Sequence, residues 1–359
     1  MQERATTTRT DAWYRRLAIR WWWVFLAAVL LVGFLNYPLP FYVSRPGSAV
    51  ELGPLITVEG GERDSQGAFM LTTVRMGQAS PFWYLYAKLS PDAQLIPRSH
   101  LLLPGESNEE FTRRELMVME QSQQVASAVA FRLAGYDVHV EQQGVLIVQT
   151  IAGSPAEGRL QAGDVVTRID DTPIRTMQEL LDYLSGKRPG EQVTVSFTRE
   201  AKEQSVTLTL TELAAQPGEA SRAGLGVRGS NKQTIEVPKN VTVASENIGG
   251  PSAGLMMALE IYDQLNTEWD VTRGYRIAGT GEIFADGSVG RIGGISQKIV
   301  AADTAGADIF FAPADEAANG PSNYEEALAA AERIGTAMRI VPVKRVEDAL
   351  RYLQALEPK

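Results

Sequence analysis

Residues 21–44 read WWWVFLAAVLLVGFLNYPLPFYVS, a stretch without a single charge. A run of roughly 20 apolar residues is long enough to cross a bilayer as a helix. Trp21, Trp22 and Trp23 at one end, and Tyr37 and Tyr42 at the other, are side chains that favour the membrane–water interface. The pattern then changes. Residues 45–105 mix short β-like runs, LITV (55–58) and FMLTTVRM (69–76), with turn residues, and no chemistry stands out. SNEEFTRRELMVMEQSQQVASAVAFRLAGY predicts a long amphipathic helix that ends a membrane-proximal β/α region over 45–136. Ser107 and Glu110 form a capping-box pattern, Gly135 marks the stop, and Met117, Val125, Val129 and Leu133 share one face. Packing is the simplest role for that helix.

Residues 137–213 form a small, mainly-β unit. GVLIVQTIAGSPAEGRLQAGDVVTRIDDTPI reads as strand, turn, helical turn, Gly-Asp turn and strand. Residues 176–184 read as a helix with Met177, Leu180, Leu181 and Leu184 on one side, and VTVSFTR and VTLTLTE follow as alternating strands. Residues 214–231 look like a linker. From 232 to 359, β-like and helical segments alternate, the pattern of an α/β or α+β domain.

Composition narrows the chemistry. A length of 359 residues suggests two or three domains, and a net charge of -9 argues against nucleic acid as a main partner. Before the apolar run, Arg4, Arg9, Arg15, Arg16 and Arg20 outnumber Glu3 and Asp11. The positive-inside rule therefore leaves residues 1–20 in the cytoplasm and everything after about residue 44 outside. A cleaved signal peptide is the alternative, with Gly47-Ser48-Ala49 as a weak cleavage site, although its apolar region is ordinarily only about 7–15 residues. The absence of cysteine excludes disulfides, thiolate metal sites and a cysteine nucleophile. His100 and His139 are the only histidines, so neither a metal nor another cofactor is expected. No G-x-x-x-x-G-K-[ST] occurs, so the chain encodes no P-loop ATPase and no nucleotide partner is expected.

GGPSAGLMMALE, residues 249–260, places Ser252 after Gly249, Gly250 and Pro251 at the mouth of an apolar helix. Backbone N–H groups at a helix start are unpaired and can stabilise an oxyanion, and the glycines let backbone approach a substrate. An N-cap is the plain alternative for such a serine. Farther on, Lys298 lies early in a helix whose Ile295, Ile299, Ala302 and Ala305 form a buried face. Burial lowers a lysine's pKa, and a neutral amine can serve a serine as general base without histidine. Its plain alternative is a lysine that snorkels to solvent.

Two resemblances join these observations. Ser154-Pro155-Ala156, Gly163-Asp164 and the strand Val145-Leu146-Ile147-Val148 resemble a PDZ domain of the kind attached to bacterial envelope proteases. The resemblance implies a groove between that strand and the 176–184 helix for an extended peptide, with Gly144, Val145, Leu146 and Ile147 as its binding edge. PSAG, then TGEI, a G-x-V-x-x-IGG run and Lys298 followed by AA and AG, resemble the proteolytic domain of Lon-type proteases. That resemblance implies Ser252 as nucleophile, Lys298 as base and Thr280 as support for the amine; the role of Glu282 in the same motif is less defined. One departure is visible, because the acidic residue three before the serine is Gly249 here.

The expected fold is therefore multidomain: one N-terminal transmembrane helix, a mainly-β PDZ-like domain and a C-terminal α+β Lon-type proteolytic domain. The order resembles membrane-anchored, PDZ-containing Lon-like proteases of bacteria. The implied activity is ATP-independent serine endopeptidase action on protein substrates at the outer face of the cytoplasmic membrane. The implied partners are protein or peptide substrates, the lipid bilayer and, in a ring, other copies of the chain. The alternative is a non-catalytic, membrane-tethered PDZ scaffold.

Overall fold

The computed structural model describes residues 8–62, 66–103, 105–151, 153–213, 222–244, 248–314 and 320–359, with the side chains of 8–19, 30, 213 and 222 outside the description. Helix α1 (Thr8–Leu35) leads into β1 (Phe41–Glu51), β2 (Ile56–Val58), β3 (Ala68–Gln78), α2 (Pro81–Leu89), β4 (Gln94–Pro97), the short α3 (Arg98–Leu101) and the long α4 (Asn108–Leu133). A β-rich unit follows: β5 (His139–Thr150), β6 (Val165–Ile169), β7 (Thr172–Pro173), α5 (Met177–Ser185), β8 (Gln192–Arg199), β9 (Lys202–Thr209), β10 (Thr211–Leu213), β11 (Arg222–Gly224) and β12 (Val227–Glu236). The remainder comprises β13 (Val241–Val243), a 3-10 turn (Pro251–Ala253), α6 (Gly254–Leu265), β14 (Arg276–Gly279), β15 (Glu282–Ile283), β16 (Val289–Gly290), α7 (Ile295–Thr304), β17 (Ile309–Pro313), α8 (Asn323–Ile334), β18 (Arg339–Val343) and α9 (Val346–Gln354).

The principal sheet has the order β18-β17-β14-β3-β1-β4, so it draws strands from both sides of the β-rich unit. β14 runs parallel to β3 and β17, and β17 to β18, while β1 is antiparallel to β3 and β4. Alternation along a strand sends successive side chains to opposite faces. On β3, Phe69 and Leu71 enter one core with Met119, Phe131, Leu255, Met256, Leu259, Phe311 and Leu350; Met70 enters another with Ile295, Ile299, Phe310 and Ala327. Helices α4, α6 and α9 thus cover one face, and α7 and α8 the other. Region 45–136, expected to be a membrane-proximal β/α region ending in a long helix, supplies β1, β3, β4 and α4 to this body. The pairing of β3 with β14 joins residues about two hundred positions apart, which short-range patterning cannot reveal.

The β-rich unit has its own sheet, β12-β5-β6-β8-β9, with β7 beside β6, and its own core of Val145, Ile147, Val166, Ile169, Leu180, Val193 and Phe197. It is inserted between α4 and β13. The linker expected over 214–231 falls partly outside the described residues, at 214–221; the rest contains β11 and the start of β12. The expected boundary at 232 cuts through β12. That strand hydrogen-bonds along β5 from Val227–Thr150 to Glu236–His139.

The expected 21–44 span also divides. The helix stops at Leu35, where the Asn36 side-chain amide donates to Val32 O, and β1 begins at Phe41. Pro38 and Pro40 in between lack the N–H that continued helix needs. Trp21, Trp22, Trp23, Phe25 and Phe34 are exposed. Among the described residues, no helix is long and apolar enough to cross a membrane. The residues before Thr8, including Arg4 and Glu3, lie outside the described residues. Gly47-Ser48-Ala49, the alternative cleavage site, lies inside β1, whose Pro46 and Ala49 pair with Val74 and Thr72. Cutting there would divide a strand of the principal sheet.

α4 has the expected capping box, with Ser107 Oγ accepting from the Glu110 N–H and the Glu110 carboxylate accepting from the Ser107 N–H. Of its expected face, Val129 is buried and Val125 and Leu133 pack against the core, whereas Met117 is exposed and Met119 is buried instead.

Candidate active site

Gly279 ends β14 and pairs with Leu71 of β3, which brings Thr280 level with Thr72. The Thr72 hydroxyl ties the two strands by donating to Gly279 O at 3.0 Å. Ser252 arrives from the α6 side of the sheet and Lys298 from the α7 side. The nucleophile segment bends sharply at Gly250, whose φ of +86° suits glycine, and Ser252 sits in the 3-10 turn rather than in the first turn of α6. The turn is held by the Gly281 N–H, which donates to Ser252 O at 2.9 Å, and by Ser122 Oγ, which donates to Pro251 O at 3.1 Å.

Lys298 is buried, and its Nζ meets three oxygens: Ser252 Oγ at 2.8 Å, Thr280 Oγ1 at 2.9 Å and Thr72 O at 3.0 Å. Burial alone pushes its pKa down to about 7, because the charged form loses its hydration. The three contacts are not equivalent. Thr72 O can only accept. Thr280 Oγ1 gives its own proton to Ser252 O at 2.9 Å, so towards the amine it also accepts. These acceptors engage both N–H bonds of a neutral amine and leave its lone pair facing Ser252 Oγ. The geometry suits proton abstraction from the serine hydroxyl.

The sequence signals for Ser252, Lys298 and Thr280 therefore converge in space. Thr72 was missed: it acts through a backbone carbonyl, which has no residue-type signature. Glu282 has its pKa raised by burial. Gly249, Gly250 and Pro251 lie in the loop before Ser252, and the last two are poor candidates for oxyanion donors. Proline has no N–H, and the Gly250 N–H is engaged by Glu115 O at 2.9 Å. A cleft of about 1070 Å³ opens over the serine, lined among others by Thr72, Met76, Ile96, Glu115, Met119, Ser252 and Lys298. Among the described residues, no cluster of side chains could hold a metal ion.

In the β-rich unit, the expected binding edge is not an edge. Gly144, Val145, Leu146 and Ile147 lie on β5, which pairs with β12 on one side and β6 on the other. Gly144 is needed because a Cβ there would come within 2.4 Å of Val166 O. Among the described residues, the edge strands of this sheet are β12 and β9, and β12 is the one that meets α5. β12 begins after Gly224-Leu225-Gly226, where Gly226 has φ +77° and its carbonyl accepts from the Ile151 N–H and the Ser154 hydroxyl. Asn231 of β12 reaches the start of α5, its Oδ1 accepting from the Met177 N–H at 2.7 Å. The signal for this edge, a glycine-flanked leucine before a strand, lay inside the stretch expected to be a linker.

Comparison with known proteins matches residues 133–210 to the PDZ domain family and residues 222–356 to the family described as the Lon protease (S16) C-terminal proteolytic domain. The first match ends before β12, and strands β1 and β3 lie outside both. A probable periplasmic serine endoprotease DegP-like from Chlamydia muridarum is 31% identical over 107 residues, which is 30% of this chain and 21% of that protein. A second, from Rhizobium meliloti, is 32% identical over 29% of this chain and 24% of that protein. The Lon protease of Acinetobacter baumannii is 27% identical over 182 residues, covering 50% of this chain and 20% of its own length. The chain thus spans between a fifth and a quarter of these relatives. Among solved structures, a Geobacillus thermodenitrificans protein is 35% identical over 24% of this chain and 98% of that one, with a TM-score of 0.22.

Proposed function

We propose that this chain, a PDZ-containing protein with a Lon-type serine protease domain, is an endopeptidase that works through a Ser252–Lys298 dyad. The observation that carries the reading is the buried amine 2.8 Å from Ser252 Oγ, with its two N–H bonds directed elsewhere. Ser252 Oγ attacks the scissile carbonyl as its proton passes to Lys298 Nζ. The oxyanion is held by the N–H groups of Ser252 and Ala253, the first available donors of the turn after Pro251. Collapse of the tetrahedral intermediate breaks the C–N bond, and Lys298 gives its proton to the departing amine. Water, deprotonated by the now neutral Lys298 amine, then hydrolyses the acyl ester, and Lys298 returns the proton to Ser252 Oγ.

Protein chains are the substrate class, and no nucleotide is required, since the sequence has no P-loop. The PDZ domain binds a substrate tail along the open side of β12, beside α5, by strand addition. The chain sits at the outer face of a cytoplasmic membrane, with the apolar surface of α1 lying against the lipid rather than crossing it. The helix's uncharged run over 21–35 and the exposed Trp21, Trp22, Trp23, Phe25 and Phe34 support that reading. The periplasmic naming of the DegP-like relatives supports an extracytoplasmic site. Assembly into a ring of copies belongs to the same proposal.

The test is cleavage of an unfolded polypeptide by the full chain in detergent, without nucleotide, beside Ser252→Ala and Lys298→Ala. Loss in both variants, with folding unchanged, is expected. Cleavage surviving Ser252→Ala would overturn the mechanism; an inactive parent chain would favour the scaffold.

A further inference from the structure

The loop leading to Ser252 contains two glycines and a proline, and glycine has more conformational freedom than any other residue. Something must therefore hold it in one arrangement. α4 touches all three residues. At position 250, the backbone N–H donates to Glu115 O. At 249, a Cβ would approach Glu115 Cβ to 2.8 Å, so Glu115 occupies the space a side chain there would need. Over Gly250, Glu115 Oε2 is 3.2 Å from where a Cβ would stand. Two turns along the same helix, Ser122 donates to Pro251 O. An acidic group therefore stands over this loop although the residue three before the serine is glycine.

The Glu115 carboxylate is itself held. Arg114 Nη1 donates to its Oε1 at 3.0 Å, and the same guanidinium is fixed by Glu106 Oε1 at 2.9 Å and Leu101 O at 3.0 Å. Glu115 is partly buried in the cleft wall, and the resulting loss of hydration raises its pKa. A carboxylate kept in such a place, on a helix and with its own anchor, is suited to setting the position of glycine-rich backbone.

We propose that the Glu115 carboxylate is a positioning group for the nucleophile loop: it lies over Gly250, whose N–H the Glu115 backbone carbonyl already holds, and thereby fixes Ser252 and the oxyanion donors that follow. This rests on the Ser-Lys reading above. Glu115 acts on the loop rather than on the lysine, so its loss lowers the rate of acylation without moving the pH at which Lys298 becomes active.

The experiment measures the rate at which a peptidyl phosphonate labels Ser252 in the full chain, together with kcat and KM for a fluorogenic peptide. Glu115→Ala is expected to slow labelling and lower kcat by roughly 10- to 100-fold, as small misplacements of reacting groups do. KM and the midpoint of the pH profile stay in place. Glu115→Gln, which keeps the volume, recovers most of the rate. Gly249→Ala pushes against Glu115 from the other side and is also slow. Thermal unfolding verifies that each variant is folded. Labelling of Glu115→Ala at the parent rate would overturn the positioning role alone. So would a shifted pH midpoint in Glu115→Ala and Glu115→Gln, which would mean that the carboxylate acts on Lys298 instead. If Ser252 of the parent chain does not react, the dyad fails and this proposal fails with it.

Discussion

The protease site and the PDZ groove were approached with the same kind of signal, a short motif, and the structure treats them differently. Ser252, Thr280 and Lys298 come together within hydrogen-bond reach. Gly144, Val145, Leu146 and Ile147 fall on a strand whose two sides are already paired. A catalytic motif specifies atoms, and burial of one lysine among oxygens identifies its own chemistry. A binding edge is defined by an absent neighbour. Whether β5 is an edge is decided by β12, about eighty residues later, and by nothing inside the motif.

The largest effects should break the catalytic side of that contrast. Ser252→Ala and Lys298→Ala are each expected to lower kcat/KM by about 10⁴-fold or more, and the double variant by no more than the worse single one, because dyad members act as a unit. A competition assay on one fluorogenic substrate measures all three. Next comes the contribution of β3. Phe69→Ala removes a fully buried ring from the core shared with α4 and α6, at a cost of about 3–5 kcal/mol. Urea unfolding should show the protease body destabilised, although Phe69 lies outside both family matches. An unchanged midpoint would mean that this segment is not part of the protease core.

A smaller effect sharpens the PDZ side. A Cβ on Gly226 would come within 2.0 Å of Ser154 Cβ, and its φ of +77° is strained for other residues. Gly226→Ala should weaken binding of a C-terminal tail peptide by roughly 10-fold, as a distorted strand start at the β12 edge would. Cleavage of short peptides by Ser252 should be spared. Binding unaffected by Gly226→Ala but lost on altering an outward side chain of β5 would restore the original groove.

A further effect concerns stability. Lys298 has its pKa lowered to about 7 in the folded chain from an ordinary value of 10.5. The unfolded chain therefore holds the proton more tightly. The penalty for burying this amine is complete below pH 7 and is relieved as pH rises from about 7 towards 10.5. Lys298→Met, of similar length, should be more stable than the parent at pH 6, and that advantage should shrink at pH 9. Parallel stability curves would show that the amine does not titrate over this range.

Much of this was legible in the sequence for identifiable reasons. The capping box at Ser107, the α5 amphipathic face and the two strands after it depend on neighbours within a few positions, and all are present. Ser252 and Lys298, each ambiguous alone, were visible because the PSAG, TGEI and lysine segments occur together and in order. What stayed hidden depends on long-range partners: β1 and β3 completing the principal sheet, Thr72 O facing the lysine, Glu115 filling the space over Gly249, and β12 crossing a stretch that reads as linker. The charge-free run over 21–44 was misleading in a different way. Its hydropathy is continuous, but two prolines turn its last residues into a sheet strand.

The central claim is that a neutral Lys298 activates Ser252. The most direct test is the pH dependence of Ser252 acylation by a small activated ester, measured in single turnover on the full chain. The account predicts a rate that rises as the amine loses its proton, with a midpoint near 7, levels off above it, and disappears in Lys298→Met. A rate that is flat between about pH 5.5 and 8.5, or that persists in Lys298→Met, would contradict it.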